Sequence, residues 1–197
     1  MRRDWPSWAT AAPEPGAPAG WSIAPRRPAV TGPQPDPSAA FPPGSLPAFL
    51  ALCAGQWMAL RSQFSPERLP GEDADDADDD AWHSSERGEL VVSALIATSS
   101  GSLGGLAVTS PQGDTSRIDF QADGSLLAWE GAAPLGRWQL WPDGSLELVT
   151  EAGGLERRER IWFTKPNLRL RSSVVHSSDG AAAQASFCSE IRRVSPP

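Results

Sequence analysis

The sequence contains no tyrosine, only two histidines and two cysteines, and no uninterrupted apolar run long enough to cross a bilayer. Each absence excludes a class of protein. Cys53 and Cys188 cannot supply the framework of a disulfide-stapled domain, and with His83 and His176 they show no metal-ligand spacing, so no metal site is expected. The opening Met-Arg-Arg is followed by polar, proline-rich sequence in place of an apolar signal core, so a soluble cytoplasmic protein is expected. There is no Gly-x-Ser-x-Gly, and no motif ties either histidine to a serine or cysteine. The glycines of Ser100-Gly-Ser-Leu-Gly-Gly105 lead into a strand pattern, not into a helix that could cradle a phosphate. Hydrolysis and ATP use are therefore not expected.

A basic surplus is also missing. Of the formal net charge of -7, Glu72, Asp73, Asp75, Asp76, Asp78, Asp79 and Asp80 supply seven negative charges in one short run, which leaves the rest of the chain balanced. A nucleic-acid binder needs excess cations to replace phosphate counterions. The acidic run lacks the central glycine and closing glutamate of an EF-hand and reads as a solvated loop.

What is present fits one domain with an appendage. At 197 residues and 40% hydrophobic content the chain can bury one ordinary core. Residues 1–44 hold 11 of the 20 prolines and read as a disordered tail, with Trp5, Trp8 and Trp21 available for docking or merely incidental. Ser45 to Gly55 reads as a short helix, with Ser45 as N-cap, Pro47 in the first turn and Leu46, Phe49, Leu50 and Cys53 on one apolar face. Cys53 is placed there as a small core residue.

From Gln56 onward nearly every signal is strand. The runs are Gln56 to Gln63, Trp82 to Ile96, Gly105 to Ser110, Ser116 to Gln121, Ser125 to Glu130, Gly136 to Trp141, Ser145 to Glu151, Leu155 to Thr164, Asn167 to His176 and Ala182 to Val194. Ala122-Asp-Gly-Ser125, Pro142-Asp-Gly-Ser145 and Ser178-Asp-Gly180 are hairpin turns, with Asp and Gly both expected to tolerate positive φ. About ten short antiparallel strands after one helix predict an all-β, up-and-down barrel closed to remove its edges.

The last strands carry an unusual pattern. Strand side chains alternate, so Arg169, Arg171 and Ser173 share one face while Leu168 and Leu170 share the other, and Glu159 lies on a face with Ile161 and Phe163. The arginines either line the interior or form a solvated surface strand.

Glu159-Arg-Ile-Trp-Phe-Thr-Lys-Pro-Asn-Leu-Arg-Leu-Arg-Ser-Ser173, followed by Ala185-Ser-Phe-Cys-Ser-Glu-Ile-Arg-Arg193, resembles the S-type phycobiliprotein lyases of the CpcS/CpeS family. Ala54-Gly-Gln-Trp-Met-Ala-Leu-Arg-Ser-Gln63 is similar to that family's first strand, with Arg61 at the position of an arginine and Gln56, Met58 and Leu60 departing from the usual residues. The resemblance covers residues 45 to 195 and implies a lipocalin-like, fatty-acid-binding-protein-like antiparallel β-barrel over 45–197.

It also implies an activity. An open-chain tetrapyrrole, phycocyanobilin or phycoerythrobilin, would be attached through a thioether to a cysteine of an apo-phycobiliprotein subunit, in a phycobilisome of the cyanobacterial type. The nucleophile would belong to the acceptor, and the bilin is substrate, so no resident cofactor is expected. The family's positions correspond here to Glu159 as the catalytic carboxylate and to Arg61, Trp129, Arg169, Arg171, Ser173 and Glu190 as bilin contacts. The chemistry suits these residue types. Guanidiniums pair with the propionates, a carboxylate holds protonated pyrrole nitrogens, and an indole stacks on the rings. Cys188 is read as a packed thiol and not as a transient bilin carrier. His176, beside a turn, is read as a surface residue. A homodimer or partner lyase is compatible with this reading. The alternative is a lipocalin-like pigment carrier or chaperone without ligation activity.

The composition of the first 44 residues generates a prediction. A protein starting near Gly44 should bind bilin as the full chain does, checked by absorbance titration; lost affinity with an intact β-type circular dichroism spectrum would refute it.

Overall fold

The computed structural model describes residues 41–64, 83–97, 99–110, 112–128, 134–177 and 180–194. The expectations for the tail up to residue 40, for the acidic run and for Trp129 lie outside these residues.

Helix α1 (Leu46–Cys53) forms where the cap pattern placed it: Ala48 N donates to the Ser45 side chain at 3.4 Å, and Leu46, Phe49, Leu50 and Cys53 are buried. Ten strands follow: β1 (Gly55–Phe64), β2 (His83–Leu95), β3 (Ser102–Thr109), β4 (Thr115–Gln121), β5 (Ser125–Ala128), β6 (Pro134–Leu140), β7 (Leu146–Ala152), β8 (Leu155–Lys165), β9 (Leu168–Ser177) and β10 (Ala182–Arg192). Each pairs antiparallel with the next, and β10 pairs with β1, which closes the barrel. Closure leaves no free sheet edge.

The helix closes one end. Phe49 meets Phe163 edge-on at 5.3 Å, Trp57 lies 6.2 Å from Phe163, and the Trp57 indole N–H donates to Cys53 O at 2.8 Å. Arg192 Nη1 and Nη2 donate to Ala54 O and Leu52 O, so a guanidinium satisfies carbonyls that the helix end leaves unpaired. From this plug the core spreads along the inner faces of β2 to β8 through Val92, Leu106, Ile118, Phe120, Leu126, Leu146, Leu148 and Ile161. The opposite end is the mouth, where β1, β3, β5, β7 and β9 end.

Three details differ from the sequence reading. Pro43 is buried, and a Cβ at Gly144 would press on Pro42, so the packed part of the chain begins ahead of Ser45. Ile96 falls past the end of β2 and is 87% exposed. In the turns at 122–125 and 142–145 only the glycines take positive φ, 87° at Gly124 and 77° at Gly144. The aspartates act through their side chains, since Asp123 Oδ1 accepts from Ser125 N at 2.9 Å and Asp143 Oδ1 from Ser145 N at 3.0 Å.

Gly136 on β6 permits close approach, because a Cβ there would run into the Val149 carbonyl oxygen of β7. Gly136→Ala is therefore expected to cost about 1–3 kcal/mol, read as a lowered thermal midpoint. An unchanged midpoint would contradict the packing described.

Candidate functional site

Alternation along four neighbouring strands, β1, β10, β9 and β8, turns a set of charged and polar side chains inward beside a few apolar ones. Register stacks the inward residues in rows across the wall. Nearest the plug Trp57 pairs with Arg192; above it come Ala59, Glu190, Arg169 and Phe163, then Arg61, Cys188, Arg171 and Ile161, then Gln63, Ser186, Ser173 and Glu159. Sequence spacing put both arginines on one face of β9. The structure shows that this face is the lumen, with Arg169 3% and Arg171 6% exposed.

Buried charge demands partners, and here each supplies the other's. Arg171 Nε donates to Glu159 Oε1 at 2.6 Å, its Nη2 reaches the same oxygen, and its Nη1 donates to Glu190 Oε1 at 3.2 Å. Arg169 Nε donates to Glu190 Oε2. The result is a chain, Glu159–Arg171–Glu190–Arg169, of zero net charge. Arg169 and Arg192 also sit over the Trp57 ring, at 4.6 Å and 4.3 Å from its centroid, in cation–π contact.

The electrostatics follow from this wiring. Burial pushes the Glu190 carboxyl up, but Arg169 and Arg171 outweigh it and hold the group below the usual carboxylate range. For Arg171, burial opposes the charge, and Glu159 and Glu190 together raise its pKa above the ordinary value. Arg192, buried and facing Arg169, is brought down to about 10 and stays charged at neutral pH. Burial, then Glu190, pushes the Cys188 thiol up, so it is a protonated, packed group and a poor nucleophile. Cys53, sealed under the helix, is raised by burial as well.

Above the ion-pair chain a small, partly open pocket of about 20 Å³ is lined by Arg61, Arg157, Glu159, Arg171, Ser173 and Cys188 among others. Of the residues selected from sequence, Arg61, Glu159, Arg171 and Ser173 thus share one pocket, while Arg169 and Glu190 lie beneath it as its charged floor. Ser173 Oγ lies 2.8 Å from Ser186 Oγ, a hydroxyl pair in the pocket wall. Sequence reasoning missed Arg157 and Arg192. The signal was there, since each stands two residues from a selected carboxylate and so shares its face. A larger and more open cleft, of about 600 Å³, runs along Glu151, Leu155, Glu156 and His176 at the mouth, and His176 is half-buried there opposite Glu156.

A closed barrel with a charged, partly apolar lumen and a pocket that opens toward its mouth defines a small-ligand-binding barrel. Residues 116–193 match a family described as CpeS-like protein. Chromophore lyase CpcS/CpeS 1 of Paulinella chromatophora is 46% identical over 155 residues, spanning 78% of this chain and 91% of that protein. Chromophore lyase CpcS/CpeS 1 of Trichodesmium erythraeum is 54% identical over 59 residues, 30% of this chain and 33% of that one. In fold, the S-type phycobiliprotein lyase CPES from Guillardia theta superposes with a TM-score of 0.58 at 21% identity, covering 77% of this chain and 94% of that chain. The chain belongs to the CpcS/CpeS family of chromophore lyases, and it is an enzyme of that lyase class.

The floor of the pocket yields a prediction. Glu190→Gln leaves Arg169 buried without its anion and should destabilise the protein by about 3–5 kcal/mol at neutral pH. Because the folded-state pKa of Glu190 is depressed, its stabilisation is complete above the unfolded carboxyl value of about 4.3 and is lost as pH falls through the lower folded value. The variant's thermal midpoint should therefore lie well below wild type at pH 7 and converge with it in acid. Parallel curves would show that Glu190 ionisation contributes nothing.

Proposed function

We propose that the protein binds phycocyanobilin or phycoerythrobilin in the pocket above the ion-pair chain and attaches it to a cysteine of an apo-phycobiliprotein subunit. The observation that carries this reading is Glu159. It is a buried carboxylate in the pocket wall, fixed through Arg171 at 2.6 Å to a chain of charges that has no other evident use. The relatives' name, chromophore lyase, points the same way.

Residue roles follow from position. Glu159, at the open edge of the chain, holds the protonated pyrrole nitrogens of the bilin and delivers or withdraws a proton there. Arg171 orients it. Ser173 offers a hydroxyl to a ring carbonyl or carboxylate, and Arg61, on the opposite flank of the pocket, pairs with a propionate. Arg169 and Glu190 anchor Arg171 from below and act on the bilin through it. Trp129 remains proposed as a stacking partner.

In the reaction, the acceptor thiol gives up its proton, its sulfur bonds to the outer carbon of the A-ring ethylidene, and a proton is added at the ring carbon. The exocyclic double bond becomes single, and no oxidant or reductant is needed. Catalysis is mainly positioning and electrostatics, with the bilin held in one conformation and presented to one thiolate. Residues 45–197 constitute the lyase domain in this reading, and its partners are the bilin, the acceptor subunit and a homodimer or second lyase.

Glu159→Gln should blue-shift the bound bilin's absorbance and slow transfer by about ten- to a hundred-fold while leaving binding in place. The assay is co-expression with bilin-synthesis enzymes and each apo-subunit, read as bilin fluorescence in denaturing gels. An acceptor left uncoloured by the wild-type protein, despite pigment binding, would favour the carrier.

A further inference from the structure

The lumen holds more cations than its own anions can neutralise. Inward-facing Arg61, Arg157, Arg169, Arg171 and Arg192 stand against Glu159 and Glu190, with Glu86 exposed at the mouth opposite Arg61. Arg169 and Arg171 are consumed by the two carboxylates, and Arg192 by the helix carbonyls. Arg61 and Arg157 remain, and among the described residues neither has an ion-pair partner. Arg157 is the more exceptional of the two. Its Nε is shut off from solvent and has no hydrogen-bond partner. A buried donor of this kind costs about 1–3 kcal/mol unless something outside the chain satisfies it.

Position makes the surplus meaningful. Arg157 lies on β8, two residues nearer the mouth than Glu159, and Arg61 lies on β1, with β9 and β10 between them. Three strand spacings across the wall, about 14 Å, and four residues along it, about 13 Å, put their backbones about 19 Å apart, a span that two guanidinium side chains reaching inward can close to the separation of two carboxylates on one ligand. They are near enough that Arg61 contributes to lowering the Arg157 pKa, after burial and against Glu159. A ligand of charge -2 would match these two unpaired guanidiniums, and a linear tetrapyrrole carries two propionates.

We propose that Arg157 is the second arm of a two-arginine clamp, with Arg61 as the first, that takes the two carboxylates of the bilin at the mouth of the barrel. This rests on the bilin-lyase reading above. It also reassigns a role. The propionates are met by the two unpaired guanidiniums, and Arg169 and Arg171 serve the carboxylates of the chain itself.

The test compares phycocyanobilin with its dimethyl ester, titrated by absorbance into the wild-type protein and into Arg157→Gln and Arg157→Lys. Wild type should prefer the diacid. Arg157→Gln should weaken the diacid by about ten-fold or more and leave the ester unchanged, and Arg157→Lys should restore part of the difference. The thermal midpoint of Arg157→Gln should be equal to or above wild type, because a half-buried guanidinium whose Nε is buried without a partner has been removed. Unchanged diacid affinity in Arg157→Gln, equal losses for acid and ester, or a collapse of the thermal midpoint would each overturn the clamp. Wild-type protein that binds diacid and ester alike would also remove it while sparing the bilin reading. Wild type that binds neither pigment would remove the bilin reading itself.

Discussion

Ionised groups can be kept inside a folded protein only if every one finds an opposite charge or a set of dipoles, since removing them from water costs several kcal/mol each. That constraint shapes the plugged half of this barrel. Arg192 is paired with helix carbonyls, Arg169 and Arg171 with Glu190 and Glu159, and Trp57 lies beneath two of the guanidiniums. Removing any one of these would strand another. Helix, first strand and last three strands are thus tied together by charge as well as by the apolar plug.

The same requirement turns part of the sheet inside out. On β1, β8, β9 and β10 many inner positions, apart from Trp57, Ala59, Ile161, Phe163 and Cys188, are taken by charged and polar residues, so period-2 alternation sends several apolar ones outward. Met58, Leu60, Phe187 and Ile191 are 42–53% exposed, and Trp162 and Phe187 meet on the outside at 6.3 Å. From β2 to β7 the arrangement is the ordinary one, with Leu, Ile, Val and Phe inward. The lumen therefore has an apolar wall and a polar wall. An amphiphilic, roughly planar ligand matches such a cavity better than a fatty acid or a polar metabolite does.

This division explains what was legible in the sequence. The strands on the apolar side announce themselves through turn chemistry and alternation, and their ends fall within a few residues of the pattern. The face shared by Arg169, Arg171 and Ser173 was also legible, but which way it pointed was not. A strand reading Leu-Arg-Leu-Arg looks the same whether its arginines meet water or a lumen, because only partners on other strands make burial tolerable. Those partners, Glu159 on β8 and Glu190 on β10, are fixed by register. Arg157 was hidden for a related reason. In the run Glu156-Arg-Arg-Glu-Arg160 every residue is charged, and alternation separates the lumen side, Arg157 and Glu159, from the solvent side only once burial is known. The Asp-Gly turns at 122–125 and 142–145 were placed correctly, yet their aspartates work by accepting hydrogen bonds and not by taking positive φ.

A carboxylate used for proton transfer must be ionised without being fully spent. A lone glutamate in the lumen would be driven neutral by burial, and one locked between two guanidiniums would be too weak a base to act. Glu190 meets the second description, held by Arg169 and Arg171 at once. Glu159 sits at the end of the chain, sharing only Arg171, and faces the pocket. The end position is the one place in the network where a carboxylate is stabilised from one side and open to a ligand on the other. When a cationic pyrrole system enters above it, Arg171 can keep its bond to Glu190 while Glu159 divides its charge between protein and pigment. In the proposed reaction Glu190 thus buffers the loss by holding Arg171 in place, and the pairing below the pocket would leave the carboxylate within it free to meet the ligand.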